Sequence, residues 1–145
     1  MRRQLRGNRH RGQSLVEFAL ILPVFILILV GIFDVGRAVF AYNTLNNAAR
    51  EAVRVAIVDQ DATTITNEAI ARSVSLGLDA SNVSIDYLQP DYTDTSPCNA
   101  TPKYGCVVQV EVSYSYTPAM PILGSIMGTL TLTGESSQPI ERTNP

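Results

Sequence analysis

From Leu15 to Phe33 the chain reads LVEFALILPVFILILVGIF, nineteen residues in which Glu17 is the only charge. About 20 apolar residues cross a bilayer as a helix, so this run predicts a membrane span. The helical pattern then continues through DVGRAVFAYNTLNNAAREAVRVAIVD without a proline. Val35, Val39, Tyr42, Leu45, Ala49, Ala52 or Val53, and Ala56 recur at steps of three and four, which is the signature of an amphipathic stripe. A single helix from Gln13 to Ile57 would be roughly 68 Å long at 1.5 Å per residue, half of it beyond the membrane. Pro23 removes one backbone donor and bends the helix locally. Gly36 and the NTLNN stretch are the points where it could break.

Beyond Asp59 the periods shorten. QDATTITNEAIARSVSLGLDAS reads as a second helix beginning near Thr63 or Thr64 and ending around Leu76 to Gly77, with Ile65, Ala69, Ile70 and Val74 on a modest apolar stripe. NVSIDYL alternates, with Val83, Ile85 and Tyr87 opposed to Ser84 and Asp86, and predicts a strand. CVVQVEVSYSY alternates more strongly: Val108, Val110, Val112, Tyr114 and Tyr116 face one way, Gln109, Glu111, Ser113 and Ser115 the other. TLTLTGESS supplies a third strand. Between the strands lie a proline-rich loop, PDYTDTSPCNATPKYG, and an apolar connection, TPAMPILGSIMG, placed near the membrane or on the helix. The expected fold is α+β: a long transmembrane helix extended into a small domain with a second helix and a three-stranded antiparallel sheet laid on the helix's distal half.

Charge sharpens the membrane reading. The formal net charge of −2 hides five arginines before the span, Arg2, Arg3, Arg6, Arg9 and Arg11, so six basic residues face 13 acidic ones after Gly12. That distribution places the amino terminus in the cytoplasm and the remainder outside it, as a single-pass protein of the cytoplasmic (inner) membrane. The acidic excess beyond the leader argues against a nucleic-acid partner. A cleaved secretory signal is the rival reading, but VGIFDVGRAVFA offers only weak cleavage candidates around Gly36 and Ala38. With 46% hydrophobic residues and no tryptophan, the part outside the membrane must build its core from few large side chains.

Glu17 poses the chemical question of the sequence. Gly12 stands five residues before it, directly after the arginines. This arrangement resembles the type IV prepilin class, in which a basic leader is cut after a glycine and a glutamate stands fifth in the mature chain. The resemblance implies cleavage between Gly12 and Gln13 by a prepilin peptidase, and pairing of Glu17 with the new amino terminus of a neighbouring subunit. A carboxylate at a helix centre costs about 2.5–3.5 kcal/mol on insertion scales, and a partner cation offsets that cost while setting axial register. The plainer reading is that Glu17 sits one turn inside the boundary and reaches the headgroups.

Cys98 and Cys106, eight apart and outside the cytoplasm by this topology, are expected to form a disulfide; free thiols or a metal pair are the alternatives, and no further ligands accompany them. The single histidine, His10, lies in the leader, and neither a phosphate loop nor a Gly-x-Ser-x-Gly turn is present. No catalytic residues, cofactor or metal site are expected, and hence no enzymatic activity.

Arg11 to Ala56 as a whole resembles the TadE-like family, pseudopilins of tight-adherence (Flp) pilus systems. The residues that carry the resemblance are Gly12, Val16-Glu17-Phe18-Ala19, Pro23, Gly31, Asp34, Gly36 and the AAREAVR segment from Ala48 to Arg54. Further on, a strand ending in Tyr116-Thr117-Pro118, then an apolar linker and another strand, is similar in outline. The resemblance implies a minor pilin assisting pilus assembly or secretion for surface adhesion, with the membrane, the prepilin peptidase, other pilin-like subunits and the assembly platform as partners. The expected organisation is a leader (1–12), a transmembrane helix (13–33), its extracytoplasmic continuation (34–58) and a small α+β domain (59–145). The alternative is a single-span membrane-anchored binding module whose loop from Pro90 to Cys106 holds a ligand.

Overall fold

The computed structural model describes residues 10–90, 98, 105–120, 124–125 and 128–142. One helix, α1, runs unbroken over His10–Ala56, with Pro23 inside it. At 1.5 Å per residue it is about 70 Å long. The expected weak points hold because their polar side chains fold back onto the helix. Thr44 Oγ1 donates to the Phe40 carbonyl at 2.9 Å and Asn46 Nδ2 to the Tyr42 carbonyl at 2.8 Å. These groups thereby spend their hydrogen-bonding capacity inside the helix rather than competing with it.

Along α1 the environment changes at Phe33. The most apolar stretch, with a mean hydropathy of 2.9, has none of its residues buried within the chain. It is therefore long and apolar enough to cross a membrane, and it is not the core helix of the folded part. Beyond it the buried positions are Asp34, Ala41, Leu45, Ala48, Ala49, Ala52, Val53 and Ala56. The distal half of the predicted stripe is this face. Its proximal half is not: Val35, Val39 and Tyr42 are exposed, and the packed line runs instead through Asp34 and Ala41.

The second helix, α2, spans Ala62–Arg72. Asp61 caps it, accepting from Thr64 N at 3.0 Å and Thr64 Oγ1 at 2.8 Å, which satisfies a free first-turn amide. α2 ends sooner than its sequence suggests. Buried Ser73 donates its hydroxyl to the Ala69 carbonyl at 2.8 Å, a tighter 3₁₀ turn follows over Val74–Leu76, and Gly77 closes it at φ 65°, where a glycine is least strained.

Three antiparallel strands follow in the spatial order β1-β2-β3: β1 Val83–Leu88, β2 Val107–Tyr116 and β3 Leu130–Pro139. The register sets Val83, Val112 and Gly134 in one row and Ile85, Val110 and Ser136 in the next. The α+β architecture is as expected, with the valine face of β2 lying on the alanine-rich face of α1. Small residues on both sides let the layers approach closely. A Cβ added to Gly134 would fall 2.5 Å from the Asn46 nitrogen and 2.6 Å from the Leu45 carbonyl oxygen, closer than packed atoms tolerate.

The far end of α1 is closed by the end of the chain. Glu141 N and Arg142 N both donate to the Ile57 carbonyl, at 3.2 and 3.1 Å, and Gln60 Nε2 bridges the Ala56 and Arg142 carbonyls. These contacts satisfy groups that every helix terminus leaves open. Cys98 and Cys106 are joined in a disulfide, which stabilises such a short loop by about 2–3 kcal/mol in the chain-entropy picture.

Gly134→Ala is expected to destabilise the fold by about 1–3 kcal/mol or more. Gly36→Ala, with open space around the new methyl, is expected to raise stability by about 0.5–1 kcal/mol through helix propensity. Chemical unfolding of the two variants in detergent checks both signs.

Candidate functional site: the helix at its exit from the apolar span

Two carboxylates mark α1, and their surroundings are opposite. Glu17 is exposed, and among the described residues its hydrogen bond comes from Gln13 Nε2 at 3.3 Å, one turn earlier on the same helix. Gly12 is also exposed and helical, with open space around it. The structure thus places Gly12, Gln13 and Glu17 together on the outside of the proximal helix, clear of the folded domain.

Asp34 is 4% exposed, in the first turn past the apolar run, and among the described residues it is one of two buried polar ones. Its Oδ1 accepts from Ala119 N at 2.9 Å and its Oδ2 from Met120 N at 2.8 Å. Tyr116 Oη donates to the Asp34 carbonyl at 2.9 Å and approaches Oδ1 at 3.3 Å. Arg37, one turn on, holds its guanidinium 3.7 Å from Oδ1 and 5.6 Å over the Tyr116 ring centre. A carboxylate that accepts two backbone amides is stabilised in its charged form. The Ala119 and Met120 amides, with help from Tyr116 and Arg37 and against the cost of burial, hold the Asp34 carboxyl below the usual carboxylate range. Burial, then the neighbouring Asp34 charge, pushes the Tyr116 phenol up.

This constellation ties the helix exit to the end of β2. Tyr116 is the last residue of the strand, and the chain turns at Thr117-Pro118 so that two successive amides point at one carboxylate. Met120 then lies over Gly31, its methyl 3.2 Å from where a Cβ would be. The apolar connection after β2 therefore does reach the helix at Ala119 and Met120; residues 121–123 and 126–127 lie outside the described set. Asp34, Gly31 and Tyr116-Thr117-Pro118 were all visible as points of family resemblance, but no role could be read for them. The available signal was a lone acid directly after the span, three residues before an arginine.

Residues 12–54 match the family model for TadE-like protein. The match covers less than half of the chain and coincides with α1 almost end to end. No curated protein and no solved structure matches the chain. The TadE-like segment contains Gly12, Glu17, Gly31 and Asp34, while the three residues that grip Asp34, namely Tyr116, Ala119 and Met120, lie outside it. The disulfide stands at the other end of β2 from this grip, beside Ile140, whose amide donates to the Cys106 carbonyl at 2.7 Å. Among the described residues no group of three or more His, Cys, Asp or Glu side chains could hold a metal ion. Most of the loop from Pro90 to Cys106 lies outside the described residues.

Because its folded carboxyl is held low, Asp34 contributes stability that is present above the ordinary Asp value of about 3.9 and is lost as pH falls through the lowered one. Asp34→Asn removes the charge and turns an amide donor toward donors. The denaturation midpoint of this variant is expected to lie below wild type at pH 7 and to converge with it as the pH drops below about 4. Asp61 and Asp79, also held low by their caps, are common to both proteins and cancel in the comparison.

Proposed function

We propose that this chain is a membrane-anchored minor pilin, or pseudopilin, of a tight-adherence pilus, and that it assists assembly of the pilus or of a related secretion system for surface adhesion. The observation that carries the proposal is the TadE-like match lying on a helix whose first half is apolar and unburied. In this reading α1 crosses the cytoplasmic membrane over residues 13–33, with residues 1–12 as a cytoplasmic leader and residues 34–58 and 59–145 on the far side. The five leader arginines support that orientation.

Prepilin peptidase cuts between Gly12 and Gln13. The Gln13 side chain that now occupies Glu17 belongs to the residue that becomes the amino terminus. Cleavage creates an α-amino group whose ordinary pKa is about 7.7–8.0, a cation for most molecules at neutral pH. Glu17, exposed on the apolar surface, meets the amino terminus of an adjacent pilin-like helix, and the pair sets the axial register of the two. The role is structural, and its partners are other pilin-like subunits and the assembly platform.

Mass spectrometry of the membrane-extracted protein is expected to find a mature chain beginning Gln13-Ser14-Leu15. Gly12→Leu is expected to leave the leader in place. Glu17→Gln is expected to be cut and inserted normally yet to lose co-purification with other pilin-like subunits. An intact Met1 in wild-type membranes contradicts the processing step, and unchanged co-purification of Glu17→Gln contradicts the register step.

A further inference from the structure

Beside the grip on Asp34 is a pocket of about 290 Å³, lined by Arg37, Phe40 and Ala41 of α1, Ser75 and Leu76 of the 3₁₀ turn, and Tyr114 and Tyr116 of β2. It combines an aromatic wall with a guanidinium that is 57% exposed. Arg37 is oriented by the Tyr116 ring and by Asp34, but at 3.7 Å that carboxylate lies beyond hydrogen-bond length. Asp34 instead directs its oxygens at Ala119 N, Met120 N and Tyr116 Oη. The planar fork of Arg37, suited to phosphate oxygens, therefore keeps donors to offer. Tyr114 and Ser75, two hydroxyl-bearing residues, line the same pocket.

Position along the helix selects the ligand. The nineteen residues from Leu15 to Phe33 cover about 28 Å, close to the thickness of a bilayer's hydrocarbon core. Arg37 stands four residues past Phe33, about 6 Å further out, within the headgroup layer. Tyrosines favour that same layer. A phosphate carried on a lipid arrives at this level, with its acyl chains against the exposed Ile32 and Phe33.

We propose that Arg37, Tyr114 and Ser75 form a binding site for the phosphate of an anionic phospholipid headgroup, which fixes the height and rotation of the folded domain on the membrane surface. The proposal rests on the membrane-spanning reading above. It adds a specific lipid contact to what would otherwise be a plain anchor.

The test uses the full chain reconstituted in phosphatidylcholine vesicles with and without phosphatidylglycerol, followed by native mass spectrometry of the released protein. Wild type is expected to retain phosphatidylglycerol over phosphatidylcholine. Arg37→Gln is expected to reduce that retention roughly fivefold, the worth of one well-placed arginine near an anionic surface. Arg50→Gln, an exposed arginine about 20 Å further along the helix, is expected to change nothing. Inorganic phosphate is expected to leave the Tyr114 and Tyr116 NMR signals of the detergent-solubilised chain in place. Equal retention by wild type and Arg37→Gln overturns the proposal, as does an equal loss in Arg50→Gln. Displacement of the tyrosine signals by inorganic phosphate assigns the pocket to a free anion, and lipid-independent cross-linking of two copies through position 37 assigns it to a second copy; either overturns the headgroup site. Extraction of the wild-type chain from vesicles by alkaline carbonate contradicts the spanning reading instead, so the two failures are told apart.

Discussion

One carboxylate sits where α1 passes from its apolar, unburied half to its packed half. From Gly12 to Phe33 none of its residues is buried, although Met120 already reaches Gly31, and from Leu45 onward its inner face is fully covered by the sheet and α2. Between these regimes the helix must be joined to the domain at a place that has no broad apolar face to bury. Asp34 answers that need with polar contacts of defined direction. A charged acceptor is worth making here only because the Ala119 and Met120 amides donate to it at 2.9 and 2.8 Å, with the Tyr116 hydroxyl 3.3 Å away; a buried carboxylate left without them would be strongly destabilising. The same contacts fix the path of the chain after β2, since two consecutive amides can reach one carboxylate in few backbone conformations.

The domain beyond is arranged around close approach rather than bulk. Ala48, Ala49, Ala52 and Ala56 present a shallow helix surface, the valines of β2 fill it, and Gly134 lets β3 touch the backbone at Leu45 and Asn46. Among the described residues no fully buried side chain is larger than Leu45, so little of that core depends on large residues. The ends are closed by different means. The disulfide and the Ile57 carbonyl, which takes the Glu141 and Arg142 amides, secure the far end, and the grip on Asp34 secures the near one.

Much of this was legible from periodicity. The apolar run, the continuation of α1 and the alternation of β1 and β2 follow from patterns that single residues do not disturb, whereas the pairing of Cys98 with Cys106 follows from there being just two cysteines. The helix phase just past the span was misread for a physical reason. Val35, Val39 and Tyr42 recur at helical steps like a core stripe, but they continue the uncovered apolar surface of the proximal helix, while the packed line runs through Asp34, a polar residue no apolar pattern picks out, and Ala41. The Asp61 cap was overlooked in favour of the threonines after it. The third strand's close contact at Gly134 and the grip of two amides on Asp34 are long-range events, 85 or more residues apart in the second case, and no local period encodes them.

The central claim is that Asp34 holds the Ala119-Met120 segment on the helix, and backbone hydrogen exchange reads that contact directly. In Asp34→Ala the Ala119 and Met120 amides are expected to exchange about tenfold faster or more than in wild type, while the Val110 and Val112 amides of central β2 keep their protection. Unchanged exchange at Ala119 and Met120, or an equal loss of protection throughout β2, would contradict it.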